Sequence, residues 1–298
     1  MNFESELKKL LALEYNCAES DVGGAGNIVT LSTGRGGRKY SPGNDFFSMA
    51  TEGTNCLFTA DERMLPFLRE FAKRDGHGHW LFEEGNLFEL ERELNRYGYK
   101  LQGWGAHHMF LPKYSVEIEQ KFPVTRLDGV EGFGKFYGDK RFPNALSGKY
   151  LPERPDVIAL LAMDGDKIMG MAGASRDFAG TPSWLQIGID VLSEYRGRGV
   201  GTFLVNELKE IILKSGDIPF YGTGPANMHS QNIAINCGFR PAWVEIASER
   251  IGYENMDDKE KKEPEKKNDE TSDEKTWVDD MKQELEEYIE EQGIYIRQ

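Results

Sequence analysis

Apolar positions along this chain switch repeatedly between the two-residue alternation of half-buried strands and the three-to-four spacing of amphipathic helices. Phe3, Leu7, Leu10, Leu11 and Leu13 recur at near-helical spacing and predict a short helix over Asn2–Tyr15. Asn27–Ser32 is strand-like, with glycine clusters before it (Gly23, Gly24, Gly26) and after it (Gly34, Gly36, Gly37). These clusters read as turns rather than as a phosphate cradle, because no periodic helix follows them. From Thr54 to Pro112 the pattern alternates between strand and helix. Asn55–Thr59 is a strand, and Asp61 caps a helix running toward Lys73. Trp80–Phe82 is a short strand, and Asn86 caps a helix through Leu87, Leu90 and Leu94 that closes at Gly98. Tyr99–Leu101 and His108–Leu111 complete a small α/β layer.

The second half has a different order. Phe122–Leu127 is a strand, followed by a segment rich in aromatics (Phe133, Phe136, Tyr137, Phe142) that either walls a substrate or packs a core. Val157–Met163 and Lys167–Ala174 flank Asp164-Gly165-Asp166, a hairpin signal. Trp184–Leu192 is the next strand, and a Gly- and Arg-rich turn separates it from a helix over Val200–Leu213. Val200, Leu204, Leu208, Ile211 and Ile212 form the apolar stripe of that helix. Ile218–Tyr221 is a strand whose Pro219 argues for an edge or a strand start. Asn227–Cys237 is a short helix stopped at Gly238, and Trp243–Ile246 a last strand. Beyond Tyr253 the apolar positions all but vanish until Trp277, Val278, Met281, Leu285, Tyr288 and Ile289 recur at helical spacing. A helix with one apolar stripe wants a partner. That partner is the body of the protein, another subunit or a separate protein.

Charge sharpens this division. Of the net −14, residues 252–298 hold 17 acidic and 8 basic side chains, which leaves the first 251 residues at −5. Nucleic acid would be repelled by such a tail and meets no broad basic face elsewhere. No apolar run is long enough to span a bilayer. Three cysteines, Cys17, Cys56 and Cys237, are too few and too scattered for a disulfide framework. With no secretion signal at the acidic N-terminus, a cytoplasmic location is the expectation. His77, His79, His107 and His108 lack a Cys or Glu at a familiar ligand spacing, so no metal is expected.

The chemistry is concentrated in Arg196-Gly197-Arg198-Gly199-Val200-Gly201. Strand, glycine turn and helix in that order present backbone N–H groups to an anion, with the helix N-terminus adding partial positive charge. A P-loop needs a Lys-Ser/Thr pair after its glycines, and Gly201-Thr202-Phe203 has no lysine. A dinucleotide fold wants an acid at the end of the following strand, where Tyr221-Gly222 stands.

The remaining pattern, Arg-x-x-Gly-x-Gly at Arg196, Gly199 and Gly201, resembles the GNAT superfamily of acyl-CoA N-acyltransferases. The hairpin before the Trp184 strand, and Asn227-x-x-Ser230 ahead of Gly238-Phe239, agree with that family's order. The resemblance covers about Phe122–Ile246. It implies an α+β fold with a mixed, mostly antiparallel sheet flanked by helices, preceded by a smaller α/β domain. The domains expected are 1–112 (which could be a diverged half-repeat), the acetyltransferase domain 113–252, a charged, disordered linker 253–276 and an amphipathic helix 277–298.

The resemblance further implies acetyl-CoA as co-substrate, with its pyrophosphate on Arg196, Gly197, Arg198, Gly199, Val200 and Gly201. Its pantetheine would lie along the strand edge at Ile189 and Val191, with Asn227 and Ser230 bonding the arm. The activity implied is direct N-acetyl transfer to an amine of a small molecule or peptide. The family's acid tyrosine, seven residues beyond the asparagine, is replaced here by Ala234. His229 and Tyr221 stand nearest as substitutes, and Asp190 is the candidate base unless it caps the turn. The missing tyrosine keeps open a non-catalytic acyl-CoA-binding module. The acidic linker and apolar-striped helix keep open a scaffold that forms a homodimer or docks a partner.

Overall fold

The computed structural model describes residues 1–34, 36–38, 46–103, 105–119 and 121–252. The linker expected over 253–276 and the helix expected over 277–298 lie outside the described residues. Asn2 opens α1 (Phe3–Glu14) by accepting the Ser5 N–H on its side chain at 3.3 Å. This satisfies one of the donors that a helix start leaves unpaired. There follow β1 (Ile28–Leu31), β2 (Phe47–Thr51), β3 (Cys56–Ala60), α2 (Leu65–Phe71), α3 (Glu84–Asn95), β4 (Tyr99–Leu101) and β5 (His107–Pro112). The second half contains β6 (Val124–Asp128), α4 (Gly129–Phe133), β7 (Asp156–Asp164), β8 (Lys167–Phe178) and β9 (Trp184–Val191). It ends with α5 (Val200–Lys214), β10 (Ile218–Thr223), α6 (Met228–Asn236) and β11 (Phe239–Arg250).

Eleven strands among the described residues form one sheet in the order β1-β3-β2-β11-β5-β10-β9-β8-β7-β6, with β4 alongside β11. The fold is α+β and the pairing mostly antiparallel, with parallel exceptions at β1–β3 and β9–β10. The patterning reading divides the chain near residue 112, yet the sheet runs across that boundary. β5, from the first stretch, lies between β10 and β11 of the second and is antiparallel to both. Such pairing joins residues more than a hundred positions apart, which no local pattern encodes.

Cluster membership assigns the faces. Leu7, Leu10 and Leu11 of α1 pack with Met109, Trp184, Phe220 and Trp243 on one face. Farther along that face the aromatic segment packs Phe133, Phe136 and Phe142 against Leu161 and Met171. The opposite face is covered by α5, whose Phe203, Leu204 and Leu208 meet Ile187 and Tyr221, and by α2 and α3 over Phe47, Met49 and Phe58. Burying a side chain of this size stabilises by about 1.5–3 kcal/mol.

Local differences from the sequence reading have physical causes. Trp80–Phe82 forms part of a 3-10 turn, Gly78–Phe82, instead of a strand. Gly78 presses so closely on the Asn55–Cys56 backbone that a Cβ would sit 2.3 Å from it. Asn86 lies inside α3, not at its start, and donates to the Trp80 carbonyl at 2.9 Å. β2 escapes patterning because four of its five residues are buried, which removes the alternation. Pro219 is the second residue of an interior strand, so a strand start is its actual role.

Candidate active site at a strand splay

β9 and β10 pair in parallel at Trp184↔Ile218, Leu185↔Pro219 and Gln186↔Phe220, and then part. β9 stays with β8 through Val191, while Tyr221, Gly222 and Thr223 of β10 pair with β5. One edge of Ile187–Val191 therefore faces no strand among the described residues. A cavity of about 590 Å³ occupies the opening. Its lining includes Tyr221 and Ser230 on the α5/α6 face and Phe142, Arg154, Gln186 and Gly188 on the other, so it passes through the sheet.

The turn beyond β9 lies on the helical side. Gly197 has φ +75° and Gly199 φ +84°, the left-handed region where a side chain is strained. Among the described residues, the N–H groups from Gly197 to Thr202 have no acceptor within the chain. Gly201 also meets a packing need. A Cβ there would lie 3.0 Å from Ile233 and 3.4 Å from Val191, so it lets α5, α6 and β9 close together. Arg196 Nε donates to the Val191 carbonyl at 3.2 Å, which occupies one acceptor on the exposed strand edge. The Arg198 guanidinium stacks 5.2 Å from the centre of the Tyr195 ring.

Asn227 caps α6, its Oδ1 accepting from the Ser230 N–H at 3.2 Å. The Ser230 hydroxyl lies 2.7 Å from the Tyr221 hydroxyl. Burial pushes the Tyr221 phenol up to about 12, with Ser230 opposing the shift. The phenol consequently stays protonated, a proton donor, through the neutral range. Ala234 is wholly buried in the core and offers no chemistry. His229 is exposed and is not part of the cavity lining.

The opposite side of the splay is built by a strap. Gly188 approaches the Asn144 carbonyl so closely that a Cβ would lie 1.8 Å from it. Asp190, two residues on, holds the same strap: Asn144 and Ala145 N–H donate to its Oδ2 at 2.8 and 2.9 Å, and Asn144 Nδ2 to its Oδ1 at 2.6 Å. Beside the strap, Arg154 donates through Nη2 to Gln186 Oε1 at 2.8 Å and through Nη1 to Ser147 Oγ at 3.2 Å. Its Nε pairs with Asp177. Burial holds the Asp177 carboxyl above the usual range despite Arg154 beside it.

The structure thus brings Ile189, Asn227, Ser230 and Tyr221 to one cavity and sets the Arg196–Gly201 turn at the end of the same strand. Gln186, Gly188, Arg154 and His107 also line the cavity; none of them was assigned a site role from the sequence, where His107 was weighed as a metal ligand. Gln186 and Gly188 were findable, since they alternate with Ile187 and Ile189 on a strand already recognised. Arg154 and His107 were not, because their places depend on the β8 and β5 pairings. Among the described residues no group of three or more His, Cys, Asp or Glu could hold a metal ion.

Comparison with known proteins agrees with this geometry. Residues 130–239 match the family model described as the acetyltransferase (GNAT) family. No curated relative matches the chain. Among solved structures, an acetyltransferase from the GNAT family of Colwellia psychrerythraea is 14% identical, with a TM-score of 0.37, covering 51% of this chain and 57% of its own. A GCN5-related N-acetyltransferase-like protein of Streptococcus suis is 14% identical with a TM-score of 0.40, covering 56% and 68%. The yncA protein of Salmonella typhimurium, solved with its cofactor acetyl-CoA, is 17% identical with a TM-score of 0.26, covering 33% and 65%. The chain thus spans roughly two thirds or less of the length of these structures. The matched segment, residues 130–239, contains the turn, the cap and the splay, so it is this part of the chain that matches the acetyltransferase (GNAT) family.

Proposed function

We propose that this protein transfers the acetyl group of acetyl-CoA directly to an amine held on the strap side of the splay. One observation carries the reading. The cavity passes through the sheet where β9 and β10 part, so a donor on the helical side and an acceptor on the strap side meet at one gap. The residues fit the donor. The unpaired N–H groups of Gly197–Thr202 suit a pyrophosphate. The open edge at Ile189 suits an amide-bearing arm, with Asn227 and Ser230 beside it. Bound acetyl-CoA supplies a thioester, an acetyl group already activated toward an amine. Isothermal titration with acetyl-CoA tests the reading. Micromolar to millimolar binding at one site per chain is expected, and no binding at millimolar ligand would refute it.

The chain's own contribution is placement and proton handling. Holding two reactants in register can supply much of the barrier reduction. The Tyr221–Ser230 hydroxyl pair takes the place of the acid missing at Ala234, delivering a proton to the departing thiolate. Replacing Tyr221 by Phe should lower kcat about 100-fold while leaving acetyl-CoA affinity within about twofold. Equal losses in affinity and turnover would instead point to a packing role.

Asp190 acts in this account as a positioning residue. All its observed bonds hold the Asn144–Ala145 strap. Asp190→Asn should raise the acceptor KM about tenfold or more and leave acetyl-CoA binding unchanged, because all three donors lose a charged acceptor and one carboxylate oxygen is replaced by an NH2 group. Steady-state kinetics in both substrates separates this from a base role, which would lower kcat with KM preserved.

The acceptor is an amine of a small molecule or peptide. Acetylation of nitrogen, as against oxygen, follows from the amine's nucleophilicity once neutral. A cytoplasmic location, where acetyl-CoA is available, is part of the proposal.

A further inference from the structure

Resting on the acetyl-transfer reading, we propose that Gln186 selects the acceptor, its side-chain amide donating to a carbonyl or carboxylate oxygen beside the attacking amine. The acceptor is then an α-amino carbonyl compound, a free amino acid or the N-terminus of a peptide, and not a plain alkyl amine.

The Gln186 amide has one orientation. Arg154 Nη2 donates to Gln186 Oε1 at 2.8 Å. A guanidinium carries only donors, so the amide oxygen must face it and the NH2 group must face away. Arg154 is itself held in place. Its Nε pairs with Asp177, whose side chain has no exposed surface, and its Nη1 donates to Ser147 Oγ at 3.2 Å. Ser147 Oγ donates in turn to Asp156 Oδ1 at 3.0 Å, so it meets Arg154 as an acceptor. Turning the amide over would set its NH2 group against guanidinium donors and forfeit the bond to Oε1.

The NH2 group faces the gap. Gln186 is the last residue of β9 paired with β10, across from Phe220. Its Nε2 reaches to Gly222, on the part of β10 that has left β9 for β5; a Cβ on Gly222 would lie 3.1 Å from it. Gly222, having no side chain, leaves Nε2 uncovered, and both residues line the cavity. Among the described residues, Gln186 Nε2 has no acceptor, the bond from Arg154 being the side chain's own.

The place of Nε2 sets the chemistry of its partner. It lies just inside the opening where donor and acceptor meet, so an oxygen bonded to it must stand close to the attacking nitrogen. In an α-amino carbonyl compound the nitrogen and the oxygen sit on neighbouring carbons. A plain amine offers no oxygen and would leave the NH2 group without a substrate partner in the gap.

The test measures kcat/KM for matched acceptors in the full chain and in two variants. A panel of amino acids and their carboxamides selects the side chain, and each is paired with the amine in which hydrogen replaces the carbonyl group. Gln186→Glu keeps an oxygen toward Arg154 and replaces the donor by a second acceptor. Gln186→Met keeps a similar length and removes the donor altogether. The unaltered chain should favour the carbonyl-bearing partner of each pair, and either variant should cut that preference about 10- to 100-fold. Comparing preferences between chains cancels the different basicities of the amines. Acid and carboxamide separate a free amino acid from a peptide N-terminus, and Gln186→Glu should penalise the acid more, by charge repulsion. Acetyl-CoA affinity by calorimetry should stay within about twofold in the variants. A preference altered less than about threefold in a variant that still binds acetyl-CoA would overturn the role of Gln186 and leave the transfer reading intact. So would an unaltered chain that acetylates plain amines as well as their carbonyl-bearing partners. Absence of acetyl-CoA binding in the unaltered chain would overturn that reading and this role together.

Discussion

Replacing Gly197 and Gly199 together by valine should weaken acetyl-CoA binding at least 100-fold while leaving the fold nearly untouched. Both residues hold φ near +80°, at +75° and +84°. A β-branched residue there costs on the order of 1–2 kcal/mol each, which the turn relieves by changing shape. Both sites are exposed, and a Cβ at either would meet nothing within 4 Å. The strain is therefore confined to the turn, and what is lost is the alignment of the N–H groups that follow. Calorimetry measures the affinity, and circular dichroism with a melting curve checks the fold. An affinity within about threefold of the original would mean that the turn does not hold the phosphates.

Arg38→Met should be the most destabilising single change among the described side chains. Arg38 is buried between two carboxylates, its Nη2 lying 2.8 Å from Glu14 Oε2 and 2.6 Å from Glu245 Oε2. Its guanidinium lies 5.0 Å from the Trp243 ring centre, and Trp243 Nε1 donates to Glu245 at 2.6 Å. These carboxylates raise the Arg38 pKa well above its ordinary value, against the opposing and largest influence of burial. Removing the cation leaves two half-buried carboxylates facing each other uncompensated, a loss of about 3 kcal/mol. For a body of this size that corresponds to a fall in Tm on the order of 10 °C. Scanning calorimetry reads it directly, and a shift under about 2 °C would contradict the assignment. Glu14 belongs to α1 and Glu245 to β11, so the cluster ties the first stretch of the chain to the last described strand.

That tie bears on what was legible in the sequence. The donor side was readable because it is local. Turn, helix start and cap lie within Arg196–Ser230, and each residue type there answers to a nearby backbone need. The acceptor side was not, because it is assembled from distant segments. The strap at Asn144–Ala145 crosses β9 only because Gly188 lacks a side chain, and nothing within three or four residues of either announces the other. Arg38 and Glu14 likewise meet Glu245 through the tertiary fold, with 207 positions separating Arg38 from Glu245. The same limit explains the first half of the chain. Its helices and most of its strands could be located, but β5 could not be assigned to its place between β10 and β11. Gly201 shows the converse. A glycine at that motif position also serves packing, because a Cβ would crowd Ile233 and Val191.

The central claim is that one gap in the sheet joins an acetyl-CoA donor to an amine acceptor. The most direct test incubates the full chain with acetyl-CoA and a panel of small-molecule and peptide amines, following thiol release and the mass of each amine. The account predicts steady thiol release with at least one amine and an equal amount of that amine 42 Da heavier, the mass of an acetyl group replacing a hydrogen. Acetyl-CoA binding with no thiol release above background and no mass shift across the panel would contradict it.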